Sequence, residues 1–295
     1  MPFVFGVILV TMLGCAAATQ SSASSFDSTR AFAHLRELVA IGPRVSGTPA
    51  NVKTRQYIIS TLDAMGIKAT EQPFESQTPL GTVAMANVVA TLPGSRPERL
   101  ILASHFDTKL FRDFRFVGAN DGGSSTAALL ELARSLKDRP RTFTIELLFL
   151  DGEEAVVEWG PTDSTYGSRH YVQAARAANT LSSIRALVLL DMIGDTQLNI
   201  RRESQSTPWL TDIIWTAARQ LGYQRQFLSE STPIEDDHLP FLQAGVPAVD
   251  IIDLDYPAWH TAADTLDNVS ARSLQIVGDV VLAAVPAIEQ HILKN

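Results

Sequence analysis

The sequence predicts an α/β protein, a single three-layer α/β/α sandwich around a mixed, largely parallel central sheet. Short apolar runs of strand length alternate along the chain with longer segments whose apolar residues recur at helical spacing, which is typical of repeated β–α units. Several of the strand candidates are predominantly apolar, as strands buried on both faces are. With 295 residues, of which 45% are hydrophobic and 19% charged, the chain is long enough to bury one such core.

Two helices are expected before the first strand. Residues 28–39 carry apolar residues at helical spacing, and Gly42-Pro43 ends that helix. The next helix follows Gly47-Thr48-Pro49 and closes at Gly66, a residue type favoured just beyond helix ends. Apolar runs then predict strands at 68–74, 82–92, 100–104, 144–150, 184–190 and 246–252. Helical spacing predicts further helices at 121–136, 164–178, 209–221 and 270–291.

The N-terminal end predicts export. Residues 3–14 form an apolar run that is too short to span a bilayer as a helix and is typical of a signal peptide. The run ends at Leu13-Gly14-Cys15, which resembles the lipobox of bacterial lipoproteins. Membrane attachment through a lipidated Cys15 and an ordinary secretory signal with an incidental cysteine are therefore equal alternatives. We expect a signal peptide over 1–15, a flexible tether over 16–25 and one folded domain over 26–295. Such a protein is periplasmic, secreted or lipid-anchored to a bacterial membrane.

Charge, cysteine content and missing motifs exclude several classes of function. The formal net charge of −8 argues against a nucleic-acid partner, because that binding depends on clustered Lys and Arg. Cys15 is the only cysteine, so the mature chain has no internal disulfide. No Gly-rich phosphate loop is present, and Ser168 lacks the flanking glycines of a nucleophile elbow, which disfavours serine hydrolysis.

The strand expected at 144–150 stops at a group of carboxylates, Asp151, Glu153 and Glu154. In open α/β sheets, ligands bind at the carboxyl ends of the strands. Two adjacent glutamates there repel each other and cost desolvation, so they need a compensating cation. A metal ion is the simplest candidate, with one carboxylate as its ligand and the neighbour free as a base. A solvated acidic loop is the alternative for this stretch alone.

Polar residues follow other expected strands in the same way, and each group has an ordinary structural alternative. A histidine held by an aspartate, as in His105-Phe106-Asp107, is common in structural networks, and Asp121 fits a helix N-cap. An acidic run such as 235–238 is more often a solvated face. The number of polar groups at one edge of the sheet favours a functional site there. Because these residues are dispersed along the chain, a catalytic metal site is favoured over a structural zinc site. The groups are His105-Phe106-Asp107, Asp121, Glu153-Glu154, Asp191, Glu235-Asp236-Asp237-His238 and Trp259-His260.

Taken together, these motifs resemble the animal-type glutaminyl cyclases, or glutaminyl-peptide cyclotransferases, of the zinc-dependent M28 peptidase family. The resemblance covers nearly all of the chain from about Phe26 onward. Its most specific parts are 151–155 with Trp159, 163–170, 190–194, 234–241 and Trp259-His260. It implies a zinc aminopeptidase-like fold and an enzyme that converts the N-terminal glutamine of peptides or proteins to pyroglutamate, with release of ammonia. We expect this enzyme to be a monomer.

The resemblance implies a role for each residue of the site. One zinc ion per chain would be bound by Asp121, Glu154 and His260. Glu153 would be the general base and acid, with Asp191 and Asp236 as hydrogen-bonding partners in the pocket. The substrate would lie between Trp159 and Trp259, with His105 in the same pocket but not on the metal. The animal secreted enzymes carry a disulfide near this site, and here Ser104 and Thr126 stand at its places.

A two-zinc metallo-aminopeptidase of the same family is the main alternative. By the same resemblance, the five ligands of such an enzyme would be His105, Asp121, Glu154, Asp191 and His260. The motifs that surround these residues favour the cyclase. A non-catalytic binding domain is a third hypothesis, but such domains generally lose ligands or the base, and none of these residues is missing here.

Overall fold

A six-stranded sheet lies at the centre of the protein. The computed structural model describes residue 1 and residues 26–294, so the expected signal peptide, Cys15 and the tether lie outside the described residues, except for residue 1. The strands of this sheet are β1 (Ala69–Thr78), β2 (Gly81–Leu92), β3 (Arg96–His105), β4 (Phe143–Leu150), β5 (Ile184–Asp191) and β8 (Ala248–Ile252). A separate parallel pair is formed by β6 (Ile200–Glu203) and β7 (Phe227–Thr232).

The sheet order is β1-β2-β4-β3-β5-β8. Strands β1 and β2 form an antiparallel hairpin, and β2 is also antiparallel to β4. The remaining strands β4, β3, β5 and β8 run parallel to one another. The prediction of a mixed, largely parallel sheet is therefore confirmed.

Helices cover both faces of the sheet. They are α1 (Ser28–Ile41), α2 (Pro49–Ala64), α3 (Gly123–Lys137), α4 (Tyr166–Ala177), α5 (Pro208–Gln220), α6 (His238–Gln243) and α7 (Ala271–Lys294). Helix α6 and the strands β6 and β7 were not expected. They are short, and the sequences of β6 and β7 are too polar to give the apolar runs on which strand prediction depends.

Strand β3 shows why the buried parts of the parallel strands are mostly apolar. Leu100 and Leu102 pack into the larger core, together with residues of α1, α2, α3, α5 and α7. Ile101 and Ala103 point to the opposite face and pack with residues of α4 and α6. Because successive side chains of a strand alternate between the two faces, a strand covered by helices on both sides is mostly apolar on both faces.

Helix α7 is long and apolar enough, by length and composition, to cross a membrane. In the structure its apolar residues pack against α1, α3 and α5 in the larger core. We therefore regard α7 as the core helix of the sandwich.

Candidate active site

A cavity of about 540 Å³ opens at the carboxyl ends of the parallel strands. Its volume lies within the range of small-molecule sites. Residues from dispersed parts of the sequence meet there because the carboxyl ends of parallel strands share one edge of the sheet. The expected site residues that line the cavity are Asp121, Glu153, Glu154, Trp159, Asp191, Asp236, Trp259 and His260.

Three of these side chains converge with the geometry of a metal site. His260 Nε2 lies 3.3 Å from Asp121 Oδ2 and 3.4 Å from Glu154 Oε1. Ligands about 2.0–2.1 Å from a tetrahedral ion are about 3.3–3.4 Å from one another, so the spacing fits such an ion. Asp121 Oδ2 is buried and has no hydrogen-bond donor among the described residues. One imidazole and two carboxylates are a suitable donor set for a divalent metal.

The electrostatics of this group favour a bound cation. Burial, together with the charge of Asp121, raises the pKa of Glu154 to about 7. Burial would lower the pKa of His260, but its contacts with Asp121 and Glu154 raise it to about 9. Both pKa values are raised by the same excess of buried negative charge, which a metal ion would neutralise.

Asp121 is held through its own backbone. The two carboxylate oxygens of Asp264 accept the backbone N–H groups of Asn120, at 2.7 Å, and of Asp121, at 3.1 Å. Helix α3 begins only at Gly123, after Gly122 in a left-handed conformation with φ 70°. The alternative in which Asp121 is the N-cap is therefore wrong, and its carboxylate faces the cavity.

A buried arginine supports the loop that leads to Asp121. The guanidinium of Arg44, with no exposed surface, donates to the backbone carbonyls of Phe106 at 2.8 Å, Val117 at 2.6 Å and Gly118 at 2.8 Å. Burial lowers the pKa of Arg44 to about 10, so it remains a cation near neutral pH. Arg44 was not recognised from the sequence, because partners that are backbone carbonyls leave no local pattern.

The two glutamates are also positioned through their backbone. Asp107 accepts the N–H of Glu153 at 3.1 Å and the N–H of Glu154 at 3.3 Å, one on each carboxylate oxygen. Asp151, with no exposed surface, accepts from the side chains of Ser46 and Asn51 and takes no part in the cavity. The solvated-loop alternative is wrong, since Glu153 and Glu154 are only 6% and 5% exposed. Burial raises the pKa of Glu153 well above its usual range.

Aromatic rings enclose His260 and the mouth of the cavity. The edges of Phe111 and Phe116 contact the ring of His260, with centroids 5.6 and 5.9 Å away. Trp259 and Trp159 are 43% and 36% exposed at the mouth. Trp159 Nε1 donates to Glu235 Oε2 at 3.0 Å and so joins two loops on that side. Asp163 supports the Trp159 loop by accepting backbone N–H groups of residues 156–158.

Known proteins of one family are similar to the chain. The model of peptidase family M28 matches residues 87–285. The chain is 36% identical over 264 residues to the glutaminyl-peptide cyclotransferase-like protein of Mus musculus, over 79% of this chain and 68% of the mouse protein. It is 33% identical over 284 residues to the glutaminyl-peptide cyclotransferase of Boiga irregularis, over 81% of this chain and 75% of the snake protein. The chain belongs to the glutaminyl-peptide cyclotransferases of peptidase family M28.

A solved structure of this family is closely similar to the protein. The glutaminyl cyclase of an Acidobacteriales bacterium superimposes with a TM-score of 0.87 and 41% identity, over 93% of this chain and 99% of that chain. The expected zinc aminopeptidase-like fold is therefore confirmed.

His105 occupies a different place from the one expected for a substrate-binding residue of the family. It is 1% exposed and is not among the residues that line the cavity. Its Nε2 lies 3.0 Å from Asp191 Oδ1 and 3.2 Å from Asp121 Oδ1, behind the cavity wall. Burial would lower the pKa of His105, but Asp191 and Glu153 raise it well above its usual range. His105 therefore connects Asp121 to Asp191, and these three residues are a second group able to hold a metal.

The segment 235–238 is not a solvated face. Only Glu235 is exposed, whereas Asp236, Asp237 and His238 are buried. Asp237 receives a short hydrogen bond from the hydroxyl of Ser168, so Ser168 supports this segment from α4.

Ser104 and Thr126, the residues expected at the places of the animal-type disulfide, are neighbours in the core. Their hydroxyl oxygens are 3.5 Å apart, and Thr126 Oγ1 also donates to the carbonyl of His105 at 2.8 Å. Both residues have no exposed surface. A pair of hydroxyl groups therefore joins β3 to α3 at this position in a member of the family without the bridge.

Proposed function

We propose that the protein is a glutaminyl-peptide cyclotransferase with one zinc ion, which converts the N-terminal glutamine of peptides or proteins to pyroglutamate and ammonia. The observation that carries this proposal is the group formed by the buried Asp121 and Glu154 and the partly buried His260 beside Glu153, in a cavity walled by tryptophans. The relatives and solved structures named as glutaminyl-peptide cyclotransferases or glutaminyl cyclases support it.

The reaction joins the two ends of one residue. The α-amine attacks the γ-amide carbon, a C–N bond forms to close the five-membered ring, and the bond to the amide nitrogen breaks so that ammonia leaves. Zinc held by Asp121, Glu154 and His260 would supply a Lewis acid for the γ-carbonyl. Holding the chain folded for attack provides the entropic part of the rate enhancement.

Glu153 is suited to move the proton. It would take a proton from the attacking nitrogen and deliver it to the leaving nitrogen, which a carboxylate does best when its pKa is raised towards neutral. Its burial provides that shift. Asp191 and Asp236 line the same cavity and would accept hydrogen bonds from the amine and amide groups of the substrate. Trp159 and Trp259 would exclude water, which favours cyclisation over hydrolysis.

The two-zinc aminopeptidase remains the alternative because His105, Asp121 and Asp191 form a second group of possible ligands. A solved structure described as a leucine aminopeptidase precursor of Bacteroides thetaiotaomicron also resembles the chain, with 29% identity, a TM-score of 0.82 and coverage of 88% of this chain and 97% of that chain. Zinc analysis of the purified protein discriminates between the two proposals, with one ion per chain expected for the cyclase and two for the aminopeptidase.

The deciding experiment uses a short peptide that begins with glutamine. Ammonia release and product mass are followed together after incubation with the purified mature protein. Loss of one ammonia from an otherwise intact peptide supports the cyclase. Release of a free amino acid would favour the aminopeptidase and would reassign His105 and Asp191 as metal ligands.

Export is part of the same proposal. The apolar run at 3–14 supports an exported protein, and Cys15 is the residue to which a lipid would be attached. Mass spectrometry of the mature N-terminus, in wild type and in Cys15→Ser, separates a lipidated cysteine from an ordinary cleaved signal. A monomer is expected on size-exclusion chromatography.

A further inference from the structure

A second buried polar cluster lies behind Asp236, away from the metal-binding group. It consists of Glu203 on β6, His238 on α6 and Asp250 on β8, and none of them has more than 3% of its surface exposed. His238 Nε2 lies 3.0 Å from Glu203 Oε2, and His238 Nδ1 lies 3.8 Å from Asp250 Oδ2. Ligand atoms of Asp236, His238 and Asp250 all lie within 4.8 Å of one another.

Glu203 is the ionised member of the cluster. It accepts hydrogen bonds from the backbone N–H groups of Gln205 at 2.8 Å and Ser206 at 2.6 Å, and from the Ser206 hydroxyl at 2.9 Å. Although burial opposes the charge, these donors and His238 lower the pKa of Glu203 to about 2. Since an ionised carboxylate only accepts, the ring hydrogen of His238 that faces Glu203 must be on Nε2.

Asp250 has the opposite environment. Neither of its carboxylate oxygens has a hydrogen-bond donor among the described residues, and the same is true of His238 Nδ1 and Asp236 Oδ2. Five carboxylate groups converge in this region, and groups of one charge cannot all be ionised in a dry interior. Burial and the charge of Asp236 raise the pKa of Asp250 well above its usual range. The acidic groups are Asp191 from β5, Glu203 from β6, Asp236 and Asp237 before α6, and Asp250 from β8; the imidazoles that face them are His105 and His238.

We propose that Asp250 is a protonated carboxylic acid that is held beside His238 and donates a hydrogen bond to Asp236. The Glu203–His238 pair fixes the imidazole, His238 Nδ1 lies 3.8 Å from Asp250 Oδ2, and Asp250 fixes the orientation of Asp236 at the cavity wall. Glu203, His238 and Asp250 are thus positioning residues for a side chain that faces the substrate. A metal ion is a poorer occupant, because 3.8 Å between His238 Nδ1 and Asp250 Oδ2 exceeds the ligand spacing of about 3.3–3.4 Å in a tetrahedral zinc site.

Infrared difference spectroscopy tests the protonation state directly and requires no activity. The metal-loaded wild type should show the carbonyl band of a protonated carboxylic acid, and Asp250→Asn should lack it. Asp195→Asn is the matched control, because Asp195 is also buried but already accepts the N–H of Gln197 at 3.0 Å, and this variant should keep the band. A band that persists unchanged in Asp250→Asn would overturn the proposal, and so would a second metal ion per chain that is lost in this variant.

Kinetics tests the positioning role, which depends on the proposed cyclase activity. Asp250→Asn keeps a donor towards Asp236, so kcat should fall by at most about five-fold, whereas Asp250→Leu should lower kcat by about 10- to 100-fold with little change in KM. Equal losses of kcat in the two variants would contradict the proposal. If the wild type cyclises no peptide, the proposed function fails but the infrared comparison still decides the state of Asp250. If Asp250→Leu does not fold, the spectra of wild type and Asp250→Asn decide alone.

Discussion

The indole ring of Trp259 stacks on the imidazole of His260, with ring centroids 4.4 Å apart and an angle of 27° between the planes. His260 itself has a positive φ of 53°, which is an uncommon conformation for a residue with a side chain. This conformation costs free energy, which the surrounding structure must offset. Trp259 stacks on the ring while the edges of Phe111 and Phe116 contact it. The ring is therefore fixed before any metal binds, which reduces the entropy lost on binding.

Replacement of this histidine should remove the metal. His260→Ala leaves only the two carboxylates of the group, and we expect its zinc content after dialysis to fall close to zero together with its activity. His170→Ala is the matched control, since His170 stacks on Phe74 and does not line the cavity. Full zinc content in His260→Ala, measured by mass spectrometry of the metal, would contradict the ligand assignment.

Replacement of the proposed base should separate metal binding from turnover. Glu153→Gln keeps the shape of the side chain but cannot accept the proton, so kcat should fall by about 10²- to 10⁴-fold while zinc stays bound. Glu158→Gln, an exposed glutamate at the cavity mouth, provides the control and should keep most of the activity. A near-normal rate in Glu153→Gln would show that another group carries the proton.

The raised pKa of Glu153 has a consequence for the pH profile. A carboxylate acts as a base only when ionised, and burial shifts this ionisation above the ordinary glutamate value of about 4.3. We therefore expect kcat/KM to fall as the pH drops through the raised pKa of Glu153, and to level off only above the pKa of about 7.7–8.0 of the substrate's α-amine, which must be neutral to attack. A profile of kcat/KM at constant zinc content checks this, and a rate that stays unchanged down to about pH 5 would exclude Glu153 as the ionising group.

The buried arginine predicts a loss of stability. Arg44→Met leaves the carbonyls of Phe106, Val117 and Gly118 without their buried donor, and we expect the free energy of unfolding to fall by about 3 kcal/mol or more. The loop that carries Asp121 should loosen, so zinc affinity should fall as well. Arg112→Met, an exposed arginine nearby, should change stability by about 0.5 kcal/mol or less in urea denaturation. Equal stability of the two variants would refute this role.

The hydroxyl pair between β3 and α3 can be converted to a bridge. The 3.5 Å separation of Ser104 Oγ and Thr126 Oγ1 should allow the double variant Ser104→Cys/Thr126→Cys to form a disulfide under oxidising conditions. Because the bridge closes a short loop, it should raise the free energy of unfolding by about 3 kcal/mol relative to the reduced form. The single variants are controls. Free thiols that remain in the oxidised double variant, measured by titration, would show that the backbone does not permit the bond.

The sequence predicted the elements whose patterns are local. The apolar run before Glu153 and Glu154 revealed both β4 and the acidic end of that strand, because a buried strand that stops at charges leaves a clear pattern. Arg44 and Asp264 could not be found in this way, since they act on backbone groups far away in sequence. His105 was expected in the pocket, but it lies behind the cavity wall, where its ring contacts Asp121 and Asp191. This placement depends on packing between strands.

The buried carboxylates around Asp121, Glu154 and His260 also affect how well the protein resists degradation. In the unfolded chain these groups are separate and hydrated, and folding without a cation must bring Asp121, Glu153 and Glu154 together against their mutual repulsion. A ligand that binds only the folded chain stabilises it by about 2.7 kcal/mol at a free concentration one hundred times its dissociation constant. Zinc supply should therefore control how much enzyme accumulates, because chains that fold without the ion are the ones most readily degraded by proteases.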